Sequence, residues 1–535
     1  MDLATLRDTD FGLLHGAADA YDKLHGEFGQ HLENWHTGVD RRTAAAGWTG
    51  PAADAATPAL RLTTGELTAA RTGIGWIGQV LRTGADALVL AQSALRKALE
   101  DARSADLTVD EHGTVSGPTP SPADRHDPDH RAARDRTAEA LAARISTALA
   151  EADTVDRALA ARLRHHAARA HDGTALDPAA TARDRLDPTL ALRPLLDAVM
   201  PGADAPPAEV NAWWNGLPTD ERQRLIEDRP DLIGNRDGIP ATARDQANRI
   251  LLPRLLARYE GYPPPLDGRT GLKLEGFRRI SERLRTEGQD PPVLLLGIGE
   301  EGQGRAVLSF GDPDTAQHVT SLVGGMGTEL RHIGGADADR ARAVYDAAKR
   351  ADPTRSTASI AWLGYDAPLG ADVASRTEAE HGAAAYQRFL AGQRATHQGA
   401  PAHVTAQGHS YGSLLVGLAA RRPGGLAADD IVLVGSPGTG AEHASDLSVG
   451  ADHTYVGAAR WDYVSQAGWY ARDPARADFG AQRFAVPDGS PDGSAHSSYW
   501  DGRPCEDRTS VDNIGRIVTG HGDRITREAP RGGRP

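Results

Sequence analysis

Cysteine is nearly absent from this sequence. One residue in 535, Cys505, cannot close a disulfide within the chain or assemble a cysteine-based structural zinc site. A basic excess is missing as well. The formal net charge is −14 and the pI is near 5.8, and no basic patch interrupts that balance. A phosphate-binding surface needs such a patch, so a nucleic-acid partner is not expected. No run approaches the roughly 20 apolar residues of a membrane span. The opening "MDLATLRDTD" has neither the basic start nor the apolar stretch of a secretory signal. The expectation is therefore a chain without a transmembrane segment, cytoplasmic by default. What is present is 40% hydrophobic residues over a length that exceeds one ordinary core, so two or more folded units are expected.

Residues 1–105 read as two long helices. Ala17, Tyr21, Leu24, Phe28, Leu32 and Trp35 step by threes and fours, and Leu67, Ile74, Leu81, Leu88 and Leu95 recur every seventh residue. This spacing predicts a helical hairpin with a facing apolar seam. Trp48-Thr49-Gly50 occupies the bend, and Pro51 suits the first turn of the following helix. The Trp-x-Gly placement resembles the WXG100 and related ESX-secretion families, whose helical hairpins carry it at the turn. The resemblance implies a helical-hairpin partner or self-association, and it leaves export by a type VII-like system open. No Tyr-x-x-x-Asp/Glu export signal follows the second helix.

Residues 106–185 read as a short hairpin turning at Glu111-His112-Gly113, a Pro/Ser-rich link, and a helix over about 129–172. His165, His166 and His171 on that helix are expected to be solvated, because their spacing does not converge on one ion. A Pro-rich linker and a helical lead-in fill 186–265, with Thr219 as the expected N-cap of a helix over 221–227. From 266 to the end, short β runs alternate with helices. The runs are 293–298, 306–310, 319–323, 358–363, 404–407, 431–434, 455–458 and 484–486, and helices are expected over 336–350 and 378–393. The first two runs, joined by "GEEGQG", suit an antiparallel pair. About eight mostly parallel strands with flanking helices form the strand pattern of the α/β-hydrolase fold, here preceded by an all-α region.

Within that pattern, "VTAQGHSYGSLLVGLAA" ends the fifth run on Gly408, places Ser410 on a tight bend, and turns helical after Gly412. Gly408-His409-Ser410-Tyr411-Gly412 fits the G-x-S-x-G elbow, in which glycines relieve crowding around a strained turn that lifts a serine hydroxyl clear of the sheet. The fold then requires an acid and a histidine, in that order. Asp462 lies just past the seventh run, and His496 lies on the loop after the eighth. Asp452, Asp473, His453 and His521 compete for these roles from less suitable places. A serine hydroxyl is a weak nucleophile near neutral pH. His496 would take its proton, and Asp462 would fix the imidazole tautomer. The backbone N–H groups of Tyr411 and Met326, the latter in "LVGGMGTEL" after the third run, are the expected oxyanion donors.

"GRAVLSFGDPDTAQHVTSLVGGMGT", "AWLGYDAP", "GHSYGS" and "HSSYW", preceded by "IGNRDGIPATARDQANR", together resemble the actinobacterial DUF1023 family of α/β hydrolases over about 210–520. Gly324-Gly325 stands where that family more often shows Pro-Gly. The resemblance implies a Ser-His-Asp hydrolase without metal or organic cofactor. The expected activity is a serine hydrolase, esterase or lipase-like, working through an acyl-enzyme on a small-molecule or lipid-like ester. The alternative is a type VII secretion-associated interaction or effector protein that carries a hydrolase-like domain.

Overall fold

The structure is a computed structural model, and it describes residues 1–117, 128–192, 195–196, 199–263, 265–287, 290–501 and 507–529. Most of the Pro/Ser-rich link read at 118–127 and the single cysteine lie outside the described residues. The chain divides into two compact units, residues 1–204 with 215–221 and residues 205–214 with 222–535.

The first unit is helical. Helix α1 (Gly12–Trp35) and the 54-residue α2 (Pro51–Ser104) form an antiparallel pair. The chain continues from α1 through a π-helical turn, His36–Asp40, and a short helix, Arg41–Ala45, before it reverses. Gly50 at φ 107° makes the bend, and Pro51 opens α2, where its missing N–H costs nothing. Leu81, Leu88 and Leu95 are buried as their heptad spacing predicts, whereas Leu24 is exposed. Much of the remaining α1–α2 contact is polar: Trp35 Nε1 donates to Thr64 Oγ1 at 2.9 Å, and Arg82 bridges Asp19 and Asp22. Strands β1 (Thr108–Val109) and β2 (Val115–Ser116) pair as the hairpin expected around Gly113, and α3 (Pro128–His171) packs on α2. His166 corrects the expectation of solvated histidines. It is buried, with its ring 6.1 Å from that of Trp76, because the helix turns it toward α2.

In the second unit, eight strands form one sheet: β3 (Val293–Gly299), β4 (Arg305–Phe310), β5 (His318–Val323), β6 (Thr357–Leu363), β7 (His403–His409), β8 (Asp430–Val434), β9 (Thr454–Gly457) and β10 (Gln482–Arg483). Their order is β3-β4-β6-β5-β7-β8-β9-β10. All neighbours are parallel except β4, which runs antiparallel to β3 and β6. The last strand is a correction: pairing occurs at Gln482 and Arg483 rather than over 484–486, where Phe484 instead bridges Arg527. Helices α4 (Ala241–Glu260), α5 (Gly268–Thr286), α6 (Ala336–Ala351), α7 (Thr377–Thr396), α8 (Tyr411–Ala420) and α9 (Thr509–Val518) surround the sheet. Thr219 is the first residue of its helix, Thr219–Asp228, rather than the residue before it.

Strand alternation sorts the two faces. Ile431 and Leu433 of β8 share a core with Tyr386 and Phe389 of α7 and Leu414 and Leu415 of α8. Val432 and Val434 instead meet Val344 and Ala348 of α6 and Ile514 and Ile517 of α9.

Among the described residues the outer edge of β3 has no strand beside it, and unpaired backbone there would invite pairing with another chain. Side chains cover it. Asn235 accepts from Ile298 N at 2.9 Å and donates to Ile298 O at 2.8 Å. Asp245 accepts from Leu295 N at 2.7 Å, Asn248 donates to Leu295 O at 2.9 Å, and Arg249 donates to Val293 O at 2.7 Å. These four residues belong to the "IGNRDGIPATARDQANR" stretch, which thereby acquires a structural reason. It imitates a ninth strand with side chains.

Candidate active site

Ser410 sits at the join of β7 and α8 with φ 53° and ψ −127°, a conformation an L-residue adopts only when its surroundings impose it. Packing imposes it here. A Cβ on Gly412 would lie 2.3 Å from Val323 O, and one on Gly408 would lie 2.7 Å from Ser413 Cα, so the bend closes only with glycine at both places. The Ser410 N–H donates to Val434 O at 3.1 Å, and Ser413 Oγ donates to Gly408 O at 3.0 Å. The elbow is thereby pinned to the end of β8 and to its own helix.

Asp462 and His496 are brought together from loops after β9 and β10. His496 Nδ1 lies 3.0 Å from both Asp462 carboxylate oxygens. The same carboxylate accepts from Tyr499 Oη at 2.6 Å and from the N–H of Val464 at 3.0 Å. Burial alone would raise the Asp462 pKa, but the hydrogen bond and charge of His496, with help from Tyr499 and the Ser465 N–H, hold it below the usual carboxylate range. Asp462 is an anion built to orient one imidazole. Gly435, which follows β8 at φ 58°, leaves room for the pair: a Cβ there would lie 2.9 Å from Asp462 Oδ2 and 3.1 Å from the His496 ring.

Ser410 adjoins this pair through its neighbours. The His409 ring lies 4.8 Å from the His496 ring at a tilt of 35° and hydrogen-bonds the His496 carbonyl, and Gly435 follows the residue that binds the Ser410 N–H. Among the described residues no hydrogen bond joins Ser410 Oγ to His496. In unliganded sites such bonds are often long and tighten when substrate binds.

Of the two expected oxyanion donors, one follows the serine in the chain and the other follows a glycine packed against it. Tyr411 opens α8, where first-turn N–H groups have no partner within the helix. Met326 lies in the loop after β5, and the adjacent Gly325 presses against the serine: a Cβ on Gly325 would lie 2.7 Å from Ser410 Cβ. That clearance explains a glycine at 325. Tyr365 Oη donates to Gly324 O at 2.9 Å, and Gly327 N donates to Pro368 O at 3.0 Å, so the loop is fixed at both ends.

The competing candidates lie elsewhere. His453 Nδ1 bonds Asp430 at 2.8 Å at the start of β9, His521 pairs with Thr519, and Asp473 accepts from Ala475 N. Sequence reasoning missed His409, Tyr365 and Tyr499. Each acts through contacts that form only in the fold, although all three fall inside motifs the sequence displayed.

The family model for an alpha/beta hydrolase matches residues 300–471, a span that holds Ser410, Asp462, Met326 and Tyr411 and ends before His496. An uncharacterized protein of Mycobacterium bovis is 36% identical over 190 residues, which is 34% of this chain and 71% of that protein. This chain belongs to the alpha/beta hydrolase family. An uncharacterized protein of Mycobacterium tuberculosis is 33% identical to this chain over 381 residues, 61% of its length. The chain spans 57% of the length of that relative. No solved structure matches this chain significantly. Among its described residues, no helix is long and apolar enough to cross a membrane, and no cluster of three His, Cys, Asp or Glu side chains is arranged to hold a metal ion.

Proposed function

We propose that the chain is a serine hydrolase that cleaves a carboxylic ester through an acyl-enzyme. One observation carries this reading: a strained, packed-in serine at the carboxyl end of the fifth strand of the sheet adjoins a half-buried histidine paired with a buried aspartate. Ser410 Oγ attacks the ester carbonyl while His496 Nε2 takes its proton, and Asp462 holds the opposite ring nitrogen in its protonated form. The carbonyl oxygen becomes an oxyanion within reach of the Tyr411 and Met326 N–H groups. Collapse breaks the ester C–O bond, and His496 returns the proton to the leaving alcohol. Water, deprotonated by the same imidazole, then releases the acid and regenerates Ser410. These steps need no metal or organic cofactor.

The rim favours an apolar acyl ester. Met326, Leu369, Tyr463 and Trp469 are exposed, and all lie on loops at the carboxyl ends of the strands. Those loops are tied together: Gly327 N bonds Pro368 O, Tyr470 Oη bonds Val373 O, and Tyr411 Oη bonds Ser375 O at 2.7 Å. Exposed aromatic and sulfur side chains grouped around a reactive serine suit a substrate that brings its own apolar surface.

Hydrolysis of a p-nitrophenyl ester series tests the reading. Turnover that strengthens from acetate to longer acyl chains and vanishes in Ser410→Ala, with an unchanged circular dichroism spectrum, is expected. Full activity in Ser410→Ala would overturn it. The helical unit supports a second role, because Leu13, Leu24, Trp48 and Leu62 are exposed on it and Trp48 stands at the bend. They offer apolar surface to a helical-hairpin partner or to a second copy, the interaction role implied by the Trp-x-Gly resemblance.

A further inference from the structure

His409, the residue before the elbow serine, is placed by neither its sequence motif nor the hydrolytic steps above. It is buried, and its Nε2 lies 2.7 Å from the main-chain carbonyl of His496. That contact has one chemical reading: a carbonyl only accepts, so Nε2 carries the proton and donates. The other nitrogen, Nδ1, is buried without a partner, which fits a neutral ring used for one bond only. The ring is also held on three sides, 4.8 Å from the His496 ring, 5.1 Å edge-on to Trp500 and 6.4 Å from Tyr499. Tyr499 in turn hydrogen-bonds the Asp462 carboxylate. The side chains of this loop are held by Asp462 and by the buried Ala495, Tyr499 and Trp500, but the main chain at His496 itself otherwise makes only a 3.4 Å contact, from its N–H to Gly493 O inside its own turn.

We infer that His409 is a positioning residue: its Nε2–H ties the histidine loop to the nucleophile elbow and so sets the distance between the His496 imidazole and Ser410. Because His409 and Ser410 are consecutive on the strained bend, the same backbone that fixes the serine fixes the donor that fixes the base. Burial, and then the charge of Arg340 nearby, hold His409 neutral well below the ordinary histidine range, so the bond persists wherever His496 can act as a base. His409 touches no reacting atom in this role.

The inference rests on the serine-hydrolase reading, and three substitutions separate the two. His409→Phe keeps a ring against Trp500 and removes the donor. His409→Asn keeps an amide that stops short of the carbonyl, and His409→Gln carries an amide N–H to about the position of Nε2. With a short p-nitrophenyl ester, the Phe and Asn variants are expected to lose on the order of a hundredfold in kcat with KM little changed, the scale of a misplacement near 1 Å. The Gln variant is expected to recover most of the loss, and fluorophosphonate labelling rates at Ser410 should follow the same order. Melting temperatures measured on all three separate this from a fold defect. Wild-type kcat in both Phe and Asn variants would overturn the inference and leave the hydrolase reading intact. So would an equal loss in Gln, Asn and Phe that tracks melting temperature. Absence of labelling in the wild-type protein would overturn both readings.

Discussion

The two ends of the same parallel strands carry the same chemical ingredients and do different things with them. At the carboxyl ends, His496 meets Asp462 at 3.0 Å. At the amino ends, His403 and His453 meet Asp430 at 2.8 Å each, and His318 meets Asp352 at 3.3 Å. Distance and burial do not separate the pairs, since Asp430 is buried as Asp462 is. What differs is the surrounding backbone. Only the carboxyl end has a serine at positive φ, glycines at 325, 412 and 435 where a side chain would collide, and a helix that begins immediately after the serine. A histidine paired with a buried aspartate is common structural material. It becomes a candidate site when the chain has been cleared around it for a third group and a substrate.

The largest expected effect breaks this comparison directly. Asp462→Asn or His496→Ala is expected to lower kcat for a short ester by about 10⁴-fold or more. His403→Gln and His453→Gln should leave kcat within a factor of a few. Comparable losses at both ends would mean that the pairs act through stability alone, and initial rates beside melting temperatures decide it.

A third part of the sheet sharpens the contrast. The side chains that cover β3 do polar work with no catalytic consequence, so Asp245→Ala should cost about 1–3 kcal/mol by leaving the buried Leu295 N–H unpaired. It should also promote association through the bared edge while kcat per folded molecule stays unchanged. Denaturant titration and light scattering measure the two consequences.

How much of this was legible in the sequence follows from the range of each interaction. The β7–elbow–α8 segment was legible because every constraint on it is local: a β run, glycines two positions either side of Ser410, and a helical spacing beyond. Chain order alone pointed to Asp462 and His496, and the structure shows that these two side chains meet at 3.0 Å. The cover of β3 was not, because Asn235 and Asp245 act on backbone groups far along the chain, and no periodicity records a side chain that replaces a strand. The last strand was misplaced by two residues because Phe484 is the apolar residue, yet the ladder is made by the backbone of the polar pair before it. His166 was misread for a similar reason: its polarity suggested solvent, and its position on the helix face decided otherwise.

The smallest effect concerns pH and has opposite signs at the two ends. His409 is held below the ordinary histidine pKa, so the unfolded chain takes up a proton that the folded chain refuses. Its contribution falls as pH drops below about 6.5, by up to about 1.4 kcal/mol per pH unit. His403 is opposed by burial but raised on balance by the hydrogen bond and charge of Asp430. Its contribution is full below about 6.5 and is lost as pH rises through the raised value. Below about pH 6.5, His409→Gln should flatten the loss of stability on acidification, and above about pH 6.5, His403→Gln should remove the part of the stability that is lost as pH rises. Identical slopes in the two variants would contradict these protonation states.

The central claim is that Ser410 is activated by its surroundings, and an activity-based fluorophosphonate read by peptide mass spectrometry tests it before any natural substrate is known. The account predicts one adduct per chain on the peptide containing Ser410, absent in Ser410→Ala and slowed strongly in His496→Ala. A folded protein that forms no adduct, or forms it on another serine, would contradict it.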